Sequence, residues 1–63
     1  MEPNDIRKIR HNIGVNRQTF GELIGVSGSA VEHYELGTRN PSKAVVMNIK
    51  RIKLMHDKGA LRI

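Results

Sequence analysis

Cysteine is absent from this sequence of 63 residues, which removes disulfide staples, thiolate metal sites and thiol nucleophiles together. Any core must be held by packing alone, and an intracellular compartment is the natural expectation. Tryptophan is also missing, and Phe20 and Tyr34 are the only aromatic residues. A platform of stacked aromatics of the kind used to read single-stranded RNA is therefore not expected. No run of about 18 apolar residues is available for a membrane span, and the charged start from Met1 to Arg10 lacks the apolar stretch of a signal peptide. The three histidines, His11, His33 and His56, lack metal-ligand spacing and fall in separate segments. No nucleophile and base are paired by any motif, which argues against an enzyme.

Acidic residues are scarce as well. Six Asp and Glu stand against eleven Lys and Arg, giving a net charge of +5 and an isoelectric point near 10.3. That balance favours a polyanionic partner such as nucleic acid, although solvated lysines alone produce the same total. At this length the chain forms one domain with a small core, so stability shared with a second copy is an early expectation.

The apolar pattern predicts an all-α fold. Ile6, Ile9 and Ile13 recur at helical spacing after Asn4, an apt N-cap, and Gly14 closes that helix, which spans about 5–13. Asn16 caps a second helix carrying Phe20, Leu23 and Ile24 and ending at Gly25. Ser27 caps a third, about 28–36, with Ala30, Val31 and Tyr34 on one face and Gly37 after it. Pro41 forbids helix through the connection, and Ser42 caps a fourth helix from Lys43 to about Lys58. Val45, Ile49 and Ile52 form its core stripe, flanked by Val46 and Met55. Met47 and Leu54 fall nearly opposite, among Lys43, Lys50 and Lys58, which makes them candidates for a subunit contact together with Met55 and Leu61. The tail at 60–63 is too short for a helix but long enough to pair as a strand with a symmetry mate.

The informative stretch runs from Arg17 to Leu36. Two short helices meet at a tight turn, Gly21 is small where they must approach closely, Gly25 accepts positive φ, and Phe20, Ile24, Val26 and Val31 supply shared apolar contact. Arg10, Gly21, the Gly25-Val26-Ser27 turn, Val31, and Tyr34-Glu35 followed by Gly37 together resemble the Cro and phage-repressor family of helix-turn-helix regulators. The likeness is nearly gap-free from Ile6 to Pro41, a little over half the chain. Beyond it, the fourth helix and the tail, 42–63, depart from the family's usual five-helix ending. The resemblance implies a compact helix-turn-helix domain of four helices, or five, with the motif at 17–36.

It also implies roles for individual residues. Arg10 and Glu35 occupy positions that the family commonly joins by a partly buried ion pair. The third helix would enter the major groove, with Gly28, Ser29, Glu32 and His33 facing base edges. Ser29 can donate or accept, His33 can reach a purine acceptor, Glu32 can accept from a cytosine amino group, and Gly28 lets backbone approach. Phosphate contacts are expected from Asn16, Arg17, Gln18 and Ser27 and, beyond the third helix, from Thr38, Arg39, Asn40 and Lys43. The family usually carries Gln where this chain has Arg17.

The resulting expectation is a cytoplasmic, nucleoid-associated homodimer that binds an inverted-repeat operator in double-stranded DNA and represses transcription, with no cofactor, metal, small-molecule ligand or membrane involved. The competing reading is an antitoxin-type interaction module that also binds DNA, using Met47, Leu54 and Met55 as an apolar patch. A membrane-surface role for the basic fourth helix is a weaker rival, because its stripe is better explained as one wall of the core.

Overall fold

The computed structural model describes residues 1–61. It contains four helices, α1 (Pro3–Ile13), α2 (Arg17–Ile24), α3 (Gly28–Leu36) and α4 (Lys43–Asp57), and no strand among the described residues. The domain is all-α.

Local side-chain chemistry sets most of the boundaries. The Asn16 side-chain oxygen accepts from the Thr19 N–H at 2.8 Å, Ser27 Oγ from Ala30 at 3.0 Å and Ser42 Oγ from Val45 at 3.2 Å. Each cap satisfies a first-turn donor that has no partner inside its helix. The start of α1 differs from the sequence expectation, because its N-cap is Glu2 and not Asn4. Pro3 already has the φ needed for the first helical position, and the Asp5 carboxylate reaches back to accept from the Glu2 N–H at 3.1 Å. Asn4 is thereby drawn inside the first turn.

All four helices contribute to one core. Ile6 and Ile9 come from α1, Phe20 and Ile24 from α2, Ala30, Val31 and Tyr34 from α3, and Ile49 and Ile52 from α4. Phe20, Ile6, Ile24, Ile49 and Val31 are the largest fully enclosed side chains, each contributing about 1.5–3 kcal/mol by leaving water. The most extensive packing joins α2 to α3; α1 lies against α3, and α4 closes over α1 and α2. Asn48 pins that closure by donating from its side-chain amide to the Ile24 carbonyl at 3.1 Å, which satisfies an acceptor at the end of α2.

The α4 stripe follows the periodicity, with Ile49 and Ile52 buried and Val45 half-buried. Two residues grouped above with the subunit contact do otherwise. Met55 and Leu61 pack, partly buried, against the chain's own core. Met47 and Leu54 remain outward at 56% and 54% exposure. The strand pairing envisaged for the tail falls partly on residues 62 and 63, which lie outside the described residues. Among the described residues no helix is long and apolar enough to cross a membrane.

Candidate nucleic-acid interface

Two glycines determine how α2 and α3 meet. A Cβ at Gly21 would lie 2.5 Å from the Val26 carbonyl oxygen and 3.0 Å from the Ser27 carbonyl carbon, so the turn rests directly on the α2 backbone. A Cβ at Gly28 would lie 3.1 Å from the Gln18 Cα and 3.2 Å from its backbone nitrogen. The first contact sets the crossing at the turn, and the second lays the first residue of α3 beside the start of α2. Between them, Gly25 at φ 82° supplies the left-handed residue that lets the chain reverse in so few residues.

The two helix N-termini are therefore neighbours, and neither carries an acidic residue in its first turn. Their partial positive charges add at one surface, which suits an anion. Gly28 owes its smallness to this packing, since the direction a side chain would take points into α2. Any role at a base edge, as expected from the sequence, is left to its backbone.

With Ala30, Val31 and Tyr34 turned into the core, α3 presents Ser29 and Glu32 exposed and His33 half-buried. Leu36, at 65% exposure, continues the same stripe at the i+3 and i+4 spacing from His33 and Glu32. Leu36 ends α3, and the same spacing marks it in the sequence as a member of this row. An exposed leucine in this row is suited to the methyl group of thymine.

His33 is not a free side chain. Its Nδ1 lies 2.8 Å from the Thr38 hydroxyl, and that hydroxyl donates to the His33 carbonyl oxygen at 3.3 Å. Thr38, expected as a phosphate contact, is thus engaged with the outward row of α3.

Behind this surface stands the ion pair expected from Arg10 and Glu35. Arg10 Nε meets Glu35 Oε2 at 2.6 Å and Arg10 Nη2 meets Oε1 at 3.1 Å, a two-point contact. Arg10 Nη1 donates further to the Val15 carbonyl at 3.1 Å, tying the α1–α2 loop to the same guanidinium. Arg17 joins as a third member, its Nε 3.2 Å from Glu35 Oε1. Nothing local in the sequence links positions so far apart, which is why this partner was missed. The Glu35 side chain is only 2% exposed, whereas Arg17 is 44% exposed and keeps access to solvent. Burial works to raise the Glu35 pKa, but hydrogen bonds and charge from Arg10, and then from Arg17, outweigh it and hold the carboxyl below its ordinary value.

The remaining phosphate candidates divide by occupation. Asn16 and Ser27 spend their side chains on caps. Gln18, Arg39, Asn40 and Lys43 are exposed and make no side-chain hydrogen bond among the described residues. Elsewhere, an open groove of about 570 Å³ between α1 and α4 is lined by Ile9, Val46, Lys8, Lys50 and Lys53 among others. Among the described residues no group of three His, Asp or Glu side chains could hold a metal ion. No family model matches the chain, and comparisons with curated proteins and with solved structures return no match.

Proposed function

We propose that this chain is a helix-turn-helix regulator that binds specific double-stranded DNA through α3 and represses transcription, acting as a homodimer on an inverted-repeat operator. The observation that carries the reading is the outward row Ser29, Glu32, His33 and Leu36 on a helix whose N-terminus lies beside that of α2, with no acid in either first turn. Polar groups and a leucine in one row are suited to base edges, while paired helix starts with Arg17 and Gln18 are suited to phosphates on either side. The net charge of +5 supports a polyanionic partner. Glu32 would repel a phosphate, so the role that suits it is acceptance from a base amino group.

Selection of bound duplexes from a random library, at a stated salt concentration, tests this directly. The expected result is a palindromic motif whose affinity falls as salt rises, with the preference altered by Ser29→Ala or His33→Ala. Absence of any enriched motif would end the sequence-specific reading.

Homodimerisation is proposed through the outer face of α4, where Met47 and Leu54 are exposed one above the other. Met47→Glu or Leu54→Glu should shift sedimentation to that of a monomer with the helical spectrum unchanged. Operator binding should weaken far more than non-specific binding, because half-site cooperation is lost. Unchanged sedimentation in both variants would remove α4 from the interface. The same two side chains favour the second reading, an antitoxin-type module whose α4 face holds another protein; duplex selection without a motif would leave that reading in place.

A further inference from the structure

We propose that the groove between α1 and α4 is a docking site for an acidic amphipathic helix of a partner protein, which lays an apolar row on Ile9 and Val46 and sets carboxylates against Lys8, Lys50 and Lys53. This goes beyond DNA reading by α3 and does not depend on it. The residues that line the groove are Met1 and members of α1 and α4, and none comes from α2 or α3. Met47 and Leu54, on the outer face of α4, do not line it either.

The groove has the form of a seat for one more helix. On α1 its wall is Asp5, Lys8, Ile9 and Asn12, at i, i+3, i+4 and i+7; on α4 it is Val46, Lys50 and Lys53, at i, i+4 and i+7. Each wall is therefore a single stripe two turns long, about 10 Å. Two such stripes side by side make a trough that receives the ridge of a third helix. Its volume, about 570 Å³, lies within the usual range of binding clefts, about 300–1,000 Å³. Val46 is only half-buried and Met1 is 44% exposed, so both leave apolar surface to an occupant.

The rim sets the sign of the occupant. Lys8 and Lys50 are exposed and make no ion pair among the described residues, and Lys53 is held only by the exposed Asp57 at 2.7 Å. The single acid on the walls, Asp5, has one carboxylate oxygen engaged with the Glu2 N–H. Three cations against one acid favour a partner rich in Asp or Glu, while the apolar surface between them offers duplex phosphates nothing to bind. A second copy does not supply the acids. Glu35 is buried with Arg10, Asp57 pairs with Lys53, and Asp5 belongs to the groove itself. That leaves Glu2, Glu22 and Glu32, dispersed along a chain of net charge +5.

The probe is a synthetic helical peptide of about 14 residues with Leu at i, i+3, i+4 and i+7 and Glu on either side of that row. One control peptide has Lys for every Glu, and another has Ser for every Leu. Binding to the full chain is followed by backbone amide chemical shifts at low salt. The wild type is compared with Val46→Ser and with a double variant, Lys8→Glu with Lys50→Glu, each checked for an unchanged helical spectrum. The expected result is saturable binding with shifts centred on 5–12 and 46–53, weakening as salt rises. The double charge reversal and the Ser peptide should each weaken binding about tenfold or more, Val46→Ser about threefold, and the Lys peptide should not bind. Absence of binding by the Leu and Glu peptide overturns the proposal, and so does equal binding of the Ser peptide, which would make the contact one of charge alone. Shifts centred on the starts of α2 and α3 would mean that the peptide imitates DNA, and would also overturn it. Groove shifts that change with protein concentration before peptide is added would assign the groove to a second copy, and shifts produced by phosphatidylserine vesicles but not by the peptide would assign it to a lipid surface. No DNA is present, so failure here leaves the result of duplex selection intact, and failure of duplex selection leaves this binding to be measured.

Discussion

Arg10→Met is expected to cost this domain about 3–5 kcal/mol, the range for removing one member of a buried charge pair. The reason is what remains. The Glu35 carboxylate, 2% exposed, would lose its two-point partner and keep only the single contact from Arg17, itself nearly half in solvent. The Val15 carbonyl would also lose its donor, loosening the loop that leads into α2. At roughly 0.05–0.15 kcal/mol per residue, a domain of this length has about 3–9 kcal/mol in total, so the substitution should remove about a third or more of its stability. Arg17→Gln removes the exposed member and should cost about 1 kcal/mol or less. Urea unfolding of both variants checks the ranking. A loss below about 1 kcal/mol for Arg10→Met would mean that the pair behaves as an exposed one.

The same carboxylate makes stability depend on acid. Because the folded-state pKa of Glu35 lies below its ordinary value of 4.5, the native state holds the ionised form more firmly than the unfolded chain does. The contribution is complete above about pH 4.5 and is lost as pH falls through the lower, folded-state value. Urea midpoints followed downward from neutral pH should therefore drop below that point, and Glu35→Gln should flatten this part of the profile. An identical acid slope in the variant would assign the effect to other carboxylates.

Gly21→Ala is the second large effect. The new methyl group would sit 2.5 Å from a backbone carbonyl oxygen, a contact that no rotamer can relieve. Either α2 moves away from the turn, which would stretch the Val26 N–H bond to the Gly21 carbonyl at 2.8 Å, or the Val26–Ser27 peptide plane rotates. Overpacking of a tight site typically costs about 1–3 kcal/mol, and a clash with backbone belongs at or beyond the upper end. The melting temperature should fall by more than about 10 °C, using the usual conversion for a domain of this size. Gly28→Ala meets its neighbours at 3.1 Å and 3.2 Å and should be the milder of the two. Equal melting temperatures for Gly21→Ala and the wild type would contradict the close approach of the turn to α2.

The four helices, their capping residues from Asn16 onward and the inward faces of α2, α3 and α4 were legible from periodicity and turn chemistry. These are local properties, since a cap acts over three residues and an apolar stripe over three or four. The start of α1 was misread because Asn4 is a good cap by residue type, while Pro3 and the backward reach of Asp5 favoured Glu2. Ser29, Glu32 and His33 were legible as an outward row, and Leu36 was available to the same argument.

Local pattern and composition are enough to define the set of helices, most of the residues each must bury and the excess of positive charge. The packed fold alone shows that Arg17 turns to Glu35, that Gly28 is small for the sake of α2, and that Leu61 packs against the core. The physical reason is range. Helix formation and capping are settled among residues within one turn of each other. A side chain's partner across the fold depends instead on crossing angles and close approaches, and between α2 and α3 two glycines with no Cβ to interpose permit that approach.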